Sequence, residues 1–274
     1  MTEERTMFKQ RLISGIVLVI AAVAILYFGG FVTFLATAVI SLIGLFELIR
    51  VIGQEKSGLA VIVYTGTILY YLLLLLGLEQ YILPLMLLVL MLLAAMYVFT
   101  FPKYVISDVA ICYFGLFYVS VMLSCIYRIR VLNDGAYMIA LVFLSAWGND
   151  TLAYCAGRLV GKHKMSPVLS PKKTVEGAIG GILGAGLLGA LCGLWAGRVL
   201  MVSYNPVLVF ALACAVGGAI SIVGDLTASA IKRNYDVKDY SNLIPGHGGI
   251  LDRFDSIIFT APIIYYILVL VVGL

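Results

Sequence analysis

The chain has 274 residues, of which 63% are hydrophobic and 12% are charged, and its formal net charge is +4. A water-soluble domain is about half apolar and about a quarter charged, so this composition excludes an ordinary soluble globular protein. We predict an all-α polytopic membrane protein with lipid as its solvent.

Nine apolar stretches are long enough to cross a bilayer, which takes about 20 residues in a helix. The first follows Arg5, Lys9 and Arg11 and runs on past its small residues, so we expect an uncleaved span rather than a signal peptide. Only Gly29-Gly30 separates the first two spans, which predicts a tight hairpin. The predicted spans lie near residues 12–29, 31–49, 58–77, 81–100, 107–127, 136–159, 175–197, 205–231 and 250–273.

The distribution of basic residues predicts the orientation. With the N-terminus inside, all of the 18 Lys and Arg residues except Arg128, Arg130 and Arg198 lie on the cytoplasmic side. The positive-inside rule selects this arrangement. We therefore expect a cytoplasmic N-terminus and a C-terminus on the outer side.

Polar residues concentrate in the C-terminal half of what we interpret as a single transmembrane domain, residues 1–274. Residues 1–135 have short loops, and we interpret them as scaffold or dimerisation helices. Residues 136–274 contain the two longest inside loops, 160–174 and 232–249, and we interpret them as the catalytic part. The cysteines lack CxxC spacing and are expected to be small packing residues; they are Cys112, Cys125, Cys155, Cys192 and Cys214.

Asp225 is an internal carboxylate of the eighth span. It precedes Lys232 by seven residues, hence by about 10 Å along a helix. A carboxylate at that depth normally faces a wet cavity or an ionic partner. Both a functional role and a structural ion pair with a neighbouring Lys or Arg are consistent with the pattern.

Asp252 and Asp255 are spaced i, i+3 and share one face near the start of the ninth helix. Stabilisation of the helix N-terminus is the alternative role. If the eighth and ninth helices are neighbours, this pair and Asp225 converge and repel each other unless a cation lies between them. Oxygen ligands favour Mg²⁺, which leaves its other positions to water and phosphate oxygens. We predict a phosphate-processing magnesium site.

Basic residues that could neutralise phosphates lie on the same predicted side of the membrane. They are Lys172, Lys173, Lys232, Arg233, Lys238 and Arg253. His247-Gly248-Gly249 ends the loop before the ninth helix, where glycines would let backbone N–H groups approach a phosphate. A plain surface turn is the alternative for the glycines.

Three further polar residues have a structural and a functional interpretation. Asn149 and Asp150 in the sixth span indicate either a polar cavity or a polar packing network. Glu47, near the inner end of the second span, is expected to be interfacial rather than catalytic.

The seventh span carries a start signal and a run of small residues. Pro171, Thr174 and Glu176 are typical of a helix start. The glycines of the first turns indicate close helix packing rather than ligand contact; they are Gly177, Gly180, Gly181 and Gly184.

The segment SAIKRNYDVKDYSNLIPGHGGILDRFD, residues 229–255, resembles the signature of the phosphatidate cytidylyltransferases, also called CDP-diacylglycerol synthases. GNDTLAYCAGRLVGKH and SPKKTVEGAIGG also resemble segments of that family, so the resemblance covers residues 147–255. Leu152 departs from the pattern, since a small residue is expected after Asp-Thr. The departure affects the expected shape of that part of the pocket.

The resemblance implies an intramembrane enzyme, often dimeric, that joins CTP to phosphatidic acid and yields CDP-diacylglycerol and pyrophosphate. It implies Mg²⁺, with K⁺ as a candidate second ion, held by Asp225 and Asp252 with Asp255 close by. We expect the remaining site residues to neutralise phosphates or surround the substrates; they are Asn149, Asp150, Lys172, Lys173, Lys232, Arg233, His247, Gly248, Gly249 and Arg253.

The expected setting follows from the same resemblance. We expect a homodimer in the cytoplasmic membrane, with its active site facing the cytoplasm and no nucleic-acid partner. A related CTP-dependent enzyme acting on another lipid, similar to a polyprenol or dolichol kinase, is the first alternative. A cation-coupled transporter is the second, although the sequence lacks the repeated halves typical of transporters.

Overall fold

The computed structural model describes residues 2–200 and 204–273, without the side chains of residues 2–13, 271 and 272. The charges of Arg5, Lys9 and Arg11, on which part of the predicted orientation depends, lie outside these described side chains. The described residues form nine main helices: α1 Thr2–Phe28, α2 Gly30–Val51, α3 Gly58–Leu75, α4 Glu79–Phe99, α5 Ile106–Val131, α6 Gly135–Val160, α7 Val175–Ala196, α8 Pro206–Asn234 and α9 Leu251–Leu270.

The helices confirm the predicted all-α polytopic architecture. In the described part of the chain, α2 to α9 are long and apolar enough to cross a membrane, and α1 contains the shorter apolar stretch Ser14–Phe28. Gly29 and Gly30 adopt positive φ angles of 61° and 47° between α1 and α2, which confirms the tight hairpin.

Helix α8 continues to Asn234, three residues beyond the predicted end. Lys232 and Arg233 therefore lie in its last turn, and their placement in a loop was wrong. Basic side chains at this end are stabilised by the negative end of the helix dipole.

The segment between α6 and α7 contains a β-hairpin that the sequence analysis missed. Strands β1 (Lys164–Ser166) and β2 (Ser170–Thr174) pair antiparallel. Pro171 lies in β2, so its expected place at a helix start was wrong. Thr174 is the N-cap of α7 and accepts a hydrogen bond from the Gly177 N–H at 3.1 Å, as predicted for a helix-start residue.

The chain divides into two compact units. The first contains the residues up to Ser124 together with Val237–Arg253. The second contains Cys125–Asp236 and the chain from Phe254 onward. We call residues 235–250, between α8 and α9, the signature loop. Most of this loop belongs to the same unit as the N-terminal helices.

Buried hydroxyl pairs hold the helices of the first unit together. Thr67 of α3 and Ser120 of α5 form a hydrogen bond of 2.9 Å, and Tyr70 and Ser124 form one of 2.7 Å. Polar side chains in a membrane-spanning helix need such partners. These bonds fix α3 against α5.

Small residues bring the helices of the second unit close together. A Cβ on Gly189 of α7 would lie 2.3 Å from the carbonyl oxygen of Phe210 in α8. The four glycines near the start of α7 lie equally close to α6, which confirms their predicted packing role; they are Gly177, Gly180, Gly181 and Gly184. Leu152 contacts Gly184, so the side chain that departs from the family pattern packs against α7.

The cysteines are all free, and most of them are packing residues as predicted. Cys112, Cys125 and Cys214 are buried, and Cys192 is half-buried. Cys155 is exposed, so the packing prediction was wrong for this residue. It lies on a face of α6 that other parts of the chain leave uncovered.

Candidate functional site

A cavity of about 420 Å³ in the second unit is lined by α6, the hairpin, α7 and α8. Its volume is within the usual range for small-molecule sites. The lining includes the predicted site residues Asn149, Asp150, Lys172, Lys173 and Asp225. Residues from distant parts of the sequence therefore meet in one polar cavity, as a functional site requires.

The local structure explains how the chain builds this cavity. A π-helical segment, Leu144–Gly148, immediately precedes Asn149 in α6. Such segments occur frequently at functional sites because they shift the direction of the side chains that follow. At the base of the hairpin, Glu176 accepts hydrogen bonds from the N–H of Lys162 at 3.0 Å and of His163 at 3.2 Å. These bonds attach the hairpin, and with it both lysines of the cavity, to the start of α7.

Lys173 of β2 forms an ion pair with Asp225 of α8 in the cavity wall. The side chains are 27% and 26% exposed, so water screens the pair only in part. Lys172, its neighbour in the strand, is exposed. The structure thus gives Asp225 the ionic partner that its depth in the span predicted.

Asp255 adds a second carboxylate to the same unit. Asp150 and Asp225 repel it electrostatically, while Lys232 attracts it. Its Oδ1 accepts a hydrogen bond of 2.7 Å from the Ser256 N–H, and the Ser256 hydroxyl donates to Asp150 at 3.4 Å. Asp150, predicted only as a substrate contact, therefore belongs to a group of carboxylates with Asp225 and Asp255.

Asn149 and Asp150 were expected to form either a polar cavity or a packing network, and their surroundings differ. Asn149 is fully buried, and its amide donates to the Ser221 hydroxyl at 3.0 Å. That hydroxyl donates in turn to the carbonyl oxygen of Gly218 at 2.8 Å. Asn149 thus forms a packing network between α6 and α8 and also lines the cavity, as does the exposed Asp150.

In the first unit, Asp252 organises the signature loop. It is 5% exposed, and its Oδ2 accepts hydrogen bonds from the N–H groups of Tyr240 and Gly249, both at 2.9 Å. Gly248 has a φ of +81°, and a Cβ there would lie 2.8 Å from the same oxygen. Gly248 therefore makes room for a protein carboxylate.

Glu47, near the end of α2, reaches the same loop, a contact that was not predicted from the sequence. It is 2% exposed and accepts hydrogen bonds from the N–H groups of Ile250 at 3.0 Å and Leu251 at 2.8 Å. The N–H groups of residues 249 to 251 thus donate to protein carboxylates and are not open to a phosphate in this structure. Gly248 and Gly249 make room for Asp252 and Glu47 in this structure. Substrate binding by these two glycines stays a prediction.

His247 is oriented by α1. Its Nδ1 lies 2.8 Å from the Ser14 hydroxyl, which also lies 3.2 Å from the carbonyl oxygen of Pro245. A hydroxyl has one proton, so the Ser14 hydroxyl donates either to this carbonyl oxygen or to Nδ1, according to the tautomer of His247.

The other predicted phosphate-neutralising residues differ in their exposure to solvent. Lys232 is half-buried, whereas Arg233, Lys238 and Arg253 are exposed. Lys238 and Arg50 line a groove of about 810 Å³ in the first unit.

Sequence reasoning missed Ser14 and the structural use of Glu47, although the cost of a carboxylate in an apolar span is the same signal that identified Asp225.

Mg²⁺ suits the donor chemistry of the second unit, where Asp225 and Asp255 supply oxygen atoms. Among the side chains that the structure describes, which exclude those of residues 2–13, no group of three or more His, Cys, Asp or Glu is arranged to hold a metal ion. Mg²⁺ commonly takes only one or two protein carboxylates and fills its remaining positions with water and phosphate oxygens. Metal ligation by Asp225, Asp252 and Asp255 stays a prediction.

Comparison with known proteins gives consistent matches. Residues 9–271 match the model of the Cytidylyltransferase family. A phosphatidate cytidylyltransferase of Staphylococcus saprophyticus is 38% identical over 170 residues, which are 61% of this chain and 62% of the relative. One of Bacillus subtilis is 44% identical over 147 residues, 53% of each chain. The matches thus span between 53% and 62% of the length of these curated relatives.

Proposed function

Because the chain belongs to the cytidylyltransferase family, we propose that it is a phosphatidate cytidylyltransferase, which transfers CMP from CTP to phosphatidic acid. The observation that carries the proposal is the polar cavity in which Asp150, Lys172, Lys173 and Asp225 meet. Similarity to proteins of that name supports the choice of substrates.

The charges of the two substrates define what the site must do. The phosphomonoester of phosphatidic acid carries about −1.5 to −2 near neutral pH and repels the triphosphate of CTP. Lys172 and Lys173 line the cavity and can neutralise phosphate oxygens there. Holding two anions side by side in the right geometry supplies much of the rate enhancement in such transfers.

The reaction is an in-line displacement at the α-phosphorus of CTP. An anionic oxygen of the lipid phosphate forms a bond to this phosphorus, while the bond to the oxygen that bridges to the β-phosphate breaks. Pyrophosphate leaves with that electron pair, and CDP-diacylglycerol remains. The nucleophile is already ionised, so no side chain has to act as a strong general base.

Magnesium is the expected cofactor, and Asp225 and Asp255 of the second unit are its expected ligands. A bound Mg²⁺ supplies positive charge that stabilises the phosphates during transfer. Ligation by Asp252 and a second, monovalent ion such as K⁺ are further parts of the proposal. Lys232, which attracts Asp255, balances this carboxylate on the protein side.

The membrane setting completes the proposal. The acyl chains of the substrate stay in the bilayer, while its headgroup enters the polar cavity. We place the protein in the cytoplasmic membrane as a homodimer, with the site facing the cytoplasm, where CTP is available.

CTP labelled at different phosphates tests the proposal. Purified protein is incubated with phosphatidic acid, Mg²⁺ and CTP that carries ³²P at either the α- or the γ-position. Cytidylyl transfer puts the α-label into the lipid product, whereas a CTP-dependent lipid kinase puts the γ-label there. Transfer of the γ-label alone, or of neither label, contradicts the proposal.

Matched variants then test the site. Asp225→Asn should lower the transfer rate about a hundredfold or more, since removal of one charge-stabilising group commonly costs that much. Asp134→Asn is the control, because Asp134 lies outside the cavity lining and has a φ of 57°, which Asn tolerates well. Equal rates for the two variants would remove Asp225 from the mechanism.

A further inference from the structure

Glu47 is a buried carboxylate in the N-terminal helices, far in sequence from the signature. Its side chain is 2% exposed and accepts three hydrogen bonds. The donors are the Ser241 hydroxyl at 2.5 Å, the Ile250 N–H at 3.0 Å and the Leu251 N–H at 2.8 Å. A charge at this depth is costly without partners, and all three partners lie in one loop and the helix that follows it.

The contact fixes the start of α9. The first N–H groups of a helix have no partner within the helix, and the helix dipole favours a negative charge beside them. Here the Glu47 carboxylate occupies that position, where a free anion would otherwise bind. Because 204 residues separate Glu47 from Leu251, the contact joins distant parts of the chain.

Gly249 shows how closely the loop is fitted to this carboxylate. A Cβ on Gly249 would lie 2.6 Å from both Glu47 oxygens, which is too close for any side chain. Asp252 holds the same loop from within, through the N–H groups of Tyr240 and Gly249. The loop before α9, which contains His247, is therefore held by two carboxylates.

We propose that Glu47 is a positioning residue, which holds the loop of residues 241–250 and the start of α9 in the arrangement that the reaction requires. The residues that it places are His247 in the loop and Asp252 and Arg253 in the first turn of α9. Its three donors account for its hydrogen bonds, so it acts through the loop rather than on the substrate. The assignment to the reaction rests on the proposed function, whereas the anchoring of the loop does not.

Amide hydrogen exchange measures the anchoring of the loop independently of enzymatic activity. In Glu47→Gln, one carboxylate oxygen is replaced by an NH₂ group that cannot accept a bond from a backbone N–H. We expect amide exchange at Ile250 and Leu251 to rise about tenfold or more, because hydrogen bonds to a charged group are among the stronger ones. Glu55→Gln, in the loop after the same helix, is the matched control and should leave these amides unchanged.

Steady-state kinetics measure the consequence for the reaction. Glu47→Gln should lower kcat about tenfold or more and leave KM for CTP within about threefold, because the cavity proposed to hold the substrate phosphates is lined by other elements. Glu47→Asp keeps the charge and should restore part of kcat. A residue needed only for folding would lower the amount of active protein without this rescue.

The outcomes separate the two proposals. Unchanged exchange at Ile250 and Leu251 in Glu47→Gln overturns the anchoring, and raised exchange with normal kcat overturns the role in the reaction. Wild-type protein that forms no CDP-lipid refutes the proposed function, while raised exchange in the variant still supports the anchoring. If Glu47→Gln does not fold, Ser241→Ala removes one neutral donor, and exchange in the loop should rise about threefold; no rise overturns the anchoring.

Discussion

Replacement of Lys173 by Met removes the ionic partner of Asp225 while it keeps most of the apolar stem of the side chain. Two unit charges about 4 Å apart attract by about 4 kcal/mol at an effective dielectric constant of about 20. Breaking a fully buried pair costs about 3–5 kcal/mol, and an exposed pair contributes about 0–1 kcal/mol. Since about a quarter of each side chain is exposed, we expect a loss near 2 kcal/mol.

Thermal unfolding in detergent measures this loss. For a chain of this length, about 2 kcal/mol corresponds to a melting temperature lowered by about 4–8 °C. Lys172→Met is the matched control, because Lys172 is the exposed neighbour in the same strand and forms no ion pair in the described part of the chain. Its melting temperature should stay within about 1–2 °C of wild type, as expected for an exposed position.

Magnesium makes the same experiment a test of the cation site. Without the lysine, Asp225 presents an uncompensated carboxylate, so Mg²⁺ should raise the melting temperature of Lys173→Met more than that of wild type. Equal melting of both lysine variants would refute the energetic importance of the ion pair. An equal response of Lys173→Met and wild type to Mg²⁺ would argue against a cation site at Asp225.

Three further changes have defined outcomes. Thr174→Val removes the α7 N-cap and should destabilise the protein by about 1 kcal/mol in thermal unfolding, whereas Thr174→Ser should not. Ser14→Ala removes the hydroxyl that lies 2.8 Å from Nδ1 of His247, so ¹⁵N NMR, simplified by a chain with 2 histidines, should show a changed balance of the two ring tautomers; an unchanged spectrum contradicts the importance of this hydrogen bond. Gly181→Ala places a Cβ 2.5 Å from Asn149 and should lower stability by about 1–3 kcal/mol, while Gly186→Ala, whose nearest atom is 3.3 Å away, should be tolerated.

The membrane spans were predictable because lipid imposes a length and an apolar composition on each helix. The N-cap at Thr174 and the glycine packing of α7 were also predictable, since both depend on neighbours in sequence. The hairpin of residues 164–174 was not, because its strands are short and contain Lys, Ser and Pro, which produce no strand pattern. Its attachment depends on Glu176, which the sequence marks only as a helix-start residue.

Glu47 shows a different limit. Depth along a span can be read from the sequence, and Glu47 lies near the end of α2, where a carboxylate normally reaches water. Its burial depends on a loop that lies about 200 residues later in the chain. A contact between such distant residues cannot be inferred from a single sequence. Asp225 was easier to interpret, because at its depth only a partner or a polar cavity could stabilise it.

The carboxylates of the two units are stabilised in different ways, and this bears on which of them can change partner. Glu47 and Asp252 accept hydrogen bonds from backbone N–H groups, which cannot leave unless the loop itself opens. Asp225 instead pairs with Lys173, whose long side chain can rotate away and bind a phosphate. Of these carboxylates, Asp225 of the second unit can therefore exchange its partner, whereas Glu47 and Asp252 of the first unit are held by the fixed backbone of the loop.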